Sequence, residues 1–346
     1  MASNPLSPSF PASAPAEGAA APAAPLLATT GLSKRFRLGG PFSRHFLHAV
    51  DDVDLRVGQS EIVALVGESG SGKSTVARLL GMLYRPTSGE ILYRGTRLAR
   101  IRSRREMLAY HGRVPMVFQD PYSSMNPVYR SGHGIMRALE LHRPDVPVRE
   151  RERVAAGLFE SVGLNPPRDV LRKYPFELSG GQRQRVGFAQ ALASRPELIL
   201  ADEPVSMLDV SIRIGLLNLM ARLRSQTGVS FLYITHDIAS ARYVADRLLV
   251  MYAGHLVEAG PAADVLAHPK HPYTQLLLSA VPDPRAPIAL TTGAQVAEPP
   301  RMVDPGEGCR FRWRCPLAVD ECWHVTPRRR ELRPAHVAAC HVATAD

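Results

Sequence analysis

Short apolar segments separated by turns dominate the first part of the chain. Across residues 31–65, apolar residues such as Val53 and Leu55 roughly alternate with polar ones, which predicts a strand-rich region. A continuous apolar segment, Glu61–Val66, then predicts a buried strand, and Ser74–Tyr84 has the apolar periodicity of a helix.

The middle of the chain alternates between helical and strand patterns. Residues 148–187 are mostly helical in pattern, with breaks at Pro166-Pro167 and at Ser179–Gly181. Two more continuous apolar segments, Leu198–Ala201 and Ser230–Ile234, each lead into polar residues and then a helix. Uninterrupted apolar strands between helices are typical of a parallel sheet covered on both faces, so the predicted fold is α/β.

The two ends of the chain differ from this pattern. Residues 1–27 are rich in Ala, Pro and Ser and contain no Lys or Arg, which predicts a disordered tail and no secretory signal. After residue 262 the composition changes to one rich in Pro, Arg and Cys. The prolines at 282, 284, 287, 299 and 300 predict a linker to a separate small C-terminal unit within residues 263–346. Only one glycine loop of the kind described below is present, so an internal duplication is not expected.

Length, composition and charge exclude some classes of protein. With 346 residues and 45% hydrophobic composition, the chain can bury a full core, whereas no apolar run approaches the roughly 18 residues of a membrane span. The net charge of +10 is compatible with nucleic acid or anionic lipid, but the arginines are scattered and are not interleaved with aromatic residues. We therefore expect a solvated basic surface, no nucleic-acid partner and a cytoplasmic protein with reduced thiols.

The segment from Gly67 to Thr75 carries the clearest chemistry. It fits the pattern G-x-x-x-x-G-K-[ST] and lies between a predicted strand and a predicted helix, as a phosphate-binding loop requires. Backbone N–H groups, the helix N-terminus, Lys73 and the Ser74 hydroxyl would contact phosphates and Mg²⁺. The predicted ATP-binding residues here are Gly67, Glu68, Ser69, Gly70, Ser71, Gly72, Lys73, Ser74 and Thr75.

A pair of carboxylates follows the predicted strand Leu198–Ala201. Ligands bind at the carboxyl ends of parallel strands, so Asp202 is expected to hold Mg²⁺ and Glu203 to orient or deprotonate the attacking water. An Asp-Glu pair after a strand can also be an ordinary helix cap. The presence of a phosphate-binding loop favours the catalytic interpretation.

A second glycine motif opens a predicted helix and completes an ordered set. It consists of Leu178, Ser179, Gly180, Gly181 and Gln182. In order with the phosphate-binding loop and the Asp-Glu strand, it resembles the signature of the ATP-binding cassette (ABC) family over about residues 31–260. The resemblance implies a P-loop NTPase core with an antiparallel β-subdomain within residues 28–262, and a helical subdomain at about 121–190. It also implies that the signature of one subunit closes over ATP held by another.

Four more residues match positions that function in that family. The resemblance implies that Gln119 contacts Mg²⁺ and water beside a transmembrane partner, and that His236 touches the γ-phosphate. It further implies that Asp209 lies in the loop bridging two cassettes and that Phe36 stacks on adenine. Two departures are visible: the family's usual Ser-Ala-Leu-Asp is Ser206-Met-Leu-Asp209 here, and a common arginine is Gln190, which leaves the polar chemistry intact.

Several segments resemble one branch, the peptide/nickel importers. They are Val66–Thr75, Phe118–Pro127, His271–Thr274 and a cysteine-containing tail that begins with Gly308-Cys-Arg-Phe. The resemblance implies an ATPase subunit at the cytoplasmic face of the membrane that serves a binding-protein-dependent importer, for di- or oligopeptides. Its partners would be a second ATPase subunit, two permease subunits and an extracytoplasmic substrate-binding protein.

Two other functions are compatible with parts of the sequence. A soluble cassette ATPase acting on nucleic acid or ribosomes fits the positive charge, but such proteins usually carry two cassettes or a coiled-coil arm. A structural or regulatory P-loop protein would lack the carboxylate or the histidine, and Glu203 and His236 are both present.

Four cysteines fall in the tail: Cys309, Cys315, Cys322 and Cys340. Their thiolates could ligate Zn²⁺ or an iron–sulfur cluster, and the spacing is not that of a zinc ribbon. The branch resemblance implies a [4Fe-4S] cluster. Unligated thiols, and mixed ligation with His324, His336 or His341, remain open from the residues alone.

Overall fold

The computed structural model describes most of the chain. The described residues are 24–40, 42–120, 125–281 and 302–345. Most of the predicted N-terminal tail, residues 121–124 and the five prolines of the predicted linker lie outside them.

Thirteen strands form within the described residues. They are β1 Leu27–Arg37, β2 Phe46–Val53, β3 Arg56–Val57, β4 Ile62–Val66, β5 Ser88–Tyr93, β6 Thr96–Arg97, β7 Met116–Val117, β8 Leu198–Asp202, β9 Ser230–Thr235, β10 Arg247–Tyr252, β11 His255–Pro261, β12 Arg330–Arg333 and β13 His336–Ala338.

Eleven α-helices form in the same parts of the chain. They are α1 Lys73–Leu80, α2 Arg104–Arg113, α3 Gly132–His142, α4 Val148–Ser161, α5 Pro167–Arg172, α6 Gly180–Leu192, α7 Val210–Thr227, α8 Ile238–Val244, α9 Ala262–Ala267, α10 Pro272–Ser279 and α11 Glu321–His324. No helix in these described ranges is long and apolar enough to cross a membrane.

Two sheets organise these elements. A five-stranded antiparallel sheet has the order β2-β1-β5-β6, with β3 also paired to β1. An eight-stranded sheet has the order β12-β13-β11-β10-β4-β9-β8-β7, and its strands from β10 to β7 are all parallel. The predicted α/β core with an antiparallel β-subdomain is confirmed.

The central strands β4, β8 and β9 are buried along their whole length. Alternate residues of β4 enter different cores: Ile62 and Ala64 pack into the cluster that includes the helical region. Val63 and Leu65 pack into the cluster beneath the antiparallel sheet. The uninterrupted apolar sequence is therefore explained by a sheet that is covered on both faces.

Helix α1 is shorter than the sequence pattern predicts. The predicted helix extends to Tyr84, whereas α1 ends at Leu80 and is followed by Gly81. Met82 then takes a left-handed backbone with φ +56°, and Tyr84 donates its N–H to the carbonyl of Arg78 at 3.1 Å. This turn closes the helix, although its apolar residues continue the helical periodicity.

The C-terminal extension, residues 263–346, differs from the separate unit that the sequence predicts. Its strand β13 pairs with β11, which places Val337 opposite Ala259 and continues the main sheet. Phe311 and Cys322 are buried in the same core cluster as the helical region. An unpaired β11 edge would expose its N–H and C=O groups, and β13 satisfies them. A proline-rich stretch in the sequence predicts a boundary, but not where the following segment packs.

Candidate functional site

The phosphate-binding loop connects β4 to α1 and has no space for side chains at two of its glycines. A Cβ on Gly67 would lie 2.1 Å from the carbonyl oxygen of Met251, and one on Gly72 would lie 2.1 Å from that of Ala49. Gly72 also has φ +103°, a conformation that favours glycine. The loop is therefore held close to the backbone of β10 and of β2, one strand from each sheet, with Ser69 exposed at its tip.

Lys73 begins α1 and its side chain folds back into the loop. Its Nζ donates to the carbonyl oxygens of Gly67 and Glu68, both at 2.7 Å, and lies 3.4 Å from Ser71 Oγ. Desolvation lowers the pKa of Lys73 to about 8, opposed by the nearby charges of Glu203 and others. The ammonium group is thus enclosed by the loop at the place where the sequence predicts phosphate binding.

Ser74 and Asp202 meet although 128 positions separate them in the sequence. Ser74 Oγ donates to Asp202 Oδ1 at 2.9 Å. Asp202 is buried at the end of β8, and this desolvation raises the pKa of its carboxyl group. A hydroxyl and a carboxylate oxygen side by side are ligands that suit Mg²⁺, so these residues fit the predicted metal site.

Glu203 is the point at which the predicted catalytic residues converge. Its Oε2 accepts a hydrogen bond from Gln119 Nε2 at 3.0 Å and lies 3.1 Å from His236 Nδ1. Its backbone is left-handed, with φ +45°, and its N–H donates to the carbonyl of Ile234 at 2.9 Å. A non-glycine residue held in this region is strained, and the neighbouring strand β9 stabilises it.

The predicted signature residues form the start of α6. Ser179 caps the helix: its Oγ accepts from the N–H of Gln182 at 3.2 Å, and Gln182 Oε1 accepts from the N–H of Ser179 at 3.0 Å. Leu178 is buried. A Cβ on Gly181 would lie 2.6 Å from Cγ2 of Ile212, so this turn packs closely against α7.

Two further predicted residues lie away from this cluster in one chain. Phe36 is half-buried on β1, where its ring lies 5.5 Å from that of Tyr84 and 5.2 Å from Lys34 Nζ. Asp209 is exposed before α7, beside the exposed side chain of Met207. The roles of Phe36 and Asp209 remain predictions.

The structure adds two residues to which the sequence analysis assigned no role. Both Nη atoms of Arg314 contact the carboxylate of Glu68, at 2.8 and 2.9 Å, and Glu68 donates its N–H to the hydroxyl of Tyr273 at 2.9 Å. Both belong to branch-specific segments, Tyr273 in His271–Thr274 and Arg314 beside Cys315. The only signal in the sequence was therefore resemblance, because spacing does not relate them to Gly67–Thr75.

The four cysteines of the extension are free thiols. Burial and the charges of the other three cysteines raise the pKa of Cys309 to about 11. Over the parts of the chain that the structure describes, no group of three or more His, Cys, Asp or Glu residues is arranged to hold a metal ion. The four thiols therefore form no site for a single metal ion among the described residues, although the other three lie near enough to Cys309 to raise its pKa.

Comparisons with known proteins match two regions of the chain. A family model described as "ABC transporter" matches residues 50–206, and one described as "Oligopeptide/dipeptide transporter, C-terminal region" matches residues 257–322. A Bacillus subtilis (strain 168) protein named "Putative oligopeptide transport ATP-binding protein" is 41% identical over 92% of this chain and 95% of its own length. The oligopeptide transport ATP-binding protein AppF of the same strain is 40% identical over 85% of this chain and 89% of its own.

A solved structure shows the same architecture. It is the ATP-binding cassette MJ0796, a dimer in a post-hydrolysis state bound to ADP and Pi. It is 26% identical to this chain, with a TM-score of 0.61, and covers 68% of this chain and 98% of its own.

Proposed function

Because this chain belongs to the family of ABC transporter ATP-binding proteins, we propose that it hydrolyses ATP to drive the import of di- or oligopeptides through separate membrane permeases. The main observation in support of ATP hydrolysis is that Gln119 and His236 both contact Oε2 of Glu203, beside the Ser74–Asp202 pair. These groups come from different parts of the sequence and meet at one edge of the parallel sheet.

Binding of the phosphates is the task of the loop and of α1. Backbone N–H groups of the loop near the start of α1 and the ammonium of Lys73 provide a positively charged cradle. Ser74 and Asp202 would hold Mg²⁺, which neutralises charge on the phosphate oxygens when it is bound. The site is buried at Asp202 and Lys73, so these electrostatic interactions are weakly screened by water.

Hydrolysis is the task of Glu203. Its carboxylate would orient the attacking water and accept its proton, because it lies beside the metal-binding pair and is held by two side chains. Gln119 fixes one oxygen of this carboxylate by hydrogen bonding. His236 contacts the same oxygen and is half-exposed, so its ring can also reach a phosphate.

The exposed surface beside Gln119 supports docking to the permeases. Phe118, Val128 and Tyr129 are apolar or aromatic and 40% exposed or more. They flank the part of the chain that the family resemblance assigns to the transmembrane partner, so movement at Gln119 could be passed to that partner.

The start of α6 and the residues around Asp209 support a second cassette. Met207 and Val210 are exposed, 64% and 69%, next to Asp209. In the closed pair, Ser179–Gln182 of one subunit would contact ATP on the other, which completes two sites per assembly. We further propose attachment to the cytoplasmic face of the membrane and an extracytoplasmic binding protein that supplies the peptides.

We propose separately that the four cysteines ligate a [4Fe-4S] cluster. Its support is the branch resemblance and the mutual electrostatic influence of the four thiols. A [4Fe-4S] cluster is larger than a single ion and would be held by the four thiolate sulfurs. Iron and acid-labile sulfide assayed after anaerobic purification should give about four of each per chain; an absence of both refutes this proposal.

Transport can be tested in cells that depend on an essential amino acid supplied as a peptide. Deletion of the gene should abolish growth on di- or oligopeptides but not on the free amino acid. The wild-type gene should restore growth and Glu203→Gln should not. Normal peptide uptake in the deletion strain, with co-purification of ribosomes or DNA, would instead favour a soluble cassette ATPase.

A further inference from the structure

The C-terminal extension contacts the phosphate-binding loop at one residue, Glu68, through hydrogen bonds. Arg314 forms two parallel hydrogen bonds with the Glu68 carboxylate, at 2.8 and 2.9 Å. The side chains are only 13% and 25% exposed, respectively. Bidentate arginine–carboxylate pairs are directional as well as strong, and partial burial reduces their screening by salt.

The backbone of Glu68 is held at both of its polar groups. Its N–H donates to the hydroxyl of Tyr273 at 2.9 Å, and Tyr273 is fully buried. Its carbonyl oxygen accepts from Lys73 Nζ at 2.7 Å. The backbone position of this one residue therefore influences where the ammonium group of Lys73 lies.

The groups that hold Glu68 are themselves anchored to the main sheet. The ring of Tyr273 lies 4.6 Å from that of Tyr252, at the end of β10, and 5.5 Å from that of Phe311. The guanidinium of Arg314 lies 5.8 Å from the centre of the Tyr252 ring. Aromatic contacts of this kind restrict movement, so the extension presents a stiff support to the loop.

We propose that Arg314 and Tyr273 are positioning residues of the ATP site, which hold Glu68 so that the phosphate-binding loop is ordered before ATP arrives. A loop that is already ordered loses less conformational entropy on binding. The extension therefore sets the affinity for ATP while the chemical step stays with Glu203.

The test compares the full-length chain with Arg314→Met, Arg314→Lys, Glu68→Gln and the double variant Arg314→Met/Glu68→Gln. We expect Arg314→Met to weaken ATP binding and raise the KM by about tenfold, with kcat changed less than about twofold. The ATP affinity of Arg314→Lys should lie between those of the wild type and Arg314→Met, because lysine keeps the positive charge but cannot form the two parallel hydrogen bonds of arginine. The double variant should bind no more weakly than the weaker single variant, because both remove the same interaction.

The matched control is Arg329→Met. Arg329 also joins the extension to the rest of the chain, through a 2.5 Å contact with Asp54, but away from the loop. ATP affinity should be unchanged in this control. The two tryptophans of the chain, Trp313 and Trp323, lie in the extension with ring centres 4.5 Å apart, so an unchanged tryptophan emission spectrum shows that the extension keeps its fold.

Three results would overturn the proposal. They are an ATP affinity of Arg314→Met within twofold of the wild type, an equal loss in Arg329→Met, and additive losses in the double variant. If Arg314→Met does not fold, Arg314→Lys decides in its place: unchanged affinity in that variant refutes the proposal. The inference rests on ATP binding, and a wild-type chain that binds ATP but supports no peptide uptake contradicts the proposed function alone.

Discussion

Nδ1 of His236 lies 3.1 Å from Oε2 of Glu203, so the side chains that follow β9 and β8 meet at one carboxylate oxygen. This contact exists because β8 and β9 are parallel neighbours, with Asp202 opposite Ile234. The residues that follow the two strands therefore emerge at the same edge of the sheet. The contact places the histidine that the family resemblance assigns to the γ-phosphate beside the group proposed to activate water.

Glu203→Gln should separate ATP binding from hydrolysis. The amide keeps the size of the side chain but cannot accept a proton, so the rate should fall by at least about a hundredfold. ATP affinity should stay within a few-fold of the wild type, because Lys73 and the loop are intact. Steady-state hydrolysis and equilibrium binding measure the two effects. Glu160→Gln, on the exposed face of α4, is the control, and wild-type turnover by Glu203→Gln would refute the role assigned to Glu203.

His236→Ala should also reduce hydrolysis, by about a hundredfold, because it removes one polar group from the site of charge development. The carboxylate of Glu203 keeps its bond from Gln119, so the variant should fold and bind ATP. The exposed His268, which follows α9, offers the control variant His268→Ala. Equal rates for both variants would show that the contact with Glu203 has no catalytic role.

Tyr273→Phe should weaken the loop without removing the aromatic packing. The Glu68 N–H loses its acceptor, and an unsatisfied N–H of this kind costs about 1–3 kcal/mol. We expect a lower free energy of unfolding and a higher KM for ATP, measured by denaturant titration and by steady-state kinetics. Tyr243→Phe is the control, because the hydroxyl of that exposed tyrosine donates to Asn218 Oδ1 away from the loop. A change in neither quantity for Tyr273→Phe would contradict this account.

Glu258→Ala should loosen the attachment of the extension. Glu258 is buried and accepts hydrogen bonds from the N–H groups of Lys270 and His271, at 2.7 and 2.9 Å, while His336 Nε2 lies 2.7 Å away. Removal of this carboxylate deprives three polar groups of a partner, two of them on the buried residues His271 and His336, at a cost of about 3 kcal/mol. Denaturant titration should show the loss, and limited proteolysis should cleave the extension sooner. Glu331→Ala, at an exposed position of β12, should do neither, and equal stability of the two variants would argue against this contact.

Resemblance of local motifs allowed much of the site to be predicted. The strand, glycine loop and helix around Lys73 are contiguous, so their relation follows from the local sequence. Asp202 and Glu203 also follow a strand pattern that is visible in the sequence. The family resemblance predicted roles for Gln119 and His236 at the ATP site, but their common contact with Oε2 of Glu203 depends on side-chain placement at the ends of three strands.

The sequence by itself determined the α/β core, because uninterrupted apolar strands such as Ile62–Val66 can be buried only in a sheet covered on both faces. It also determined the phosphate-binding loop, because the glycines and Lys73 act over a few adjacent residues. Only the tertiary structure decided that β13 joins β11 and that Arg314 reaches Glu68, 246 positions away. Pairing at a sheet edge and ion pairs between distant segments depend on how the whole chain packs, and no local pattern encodes them.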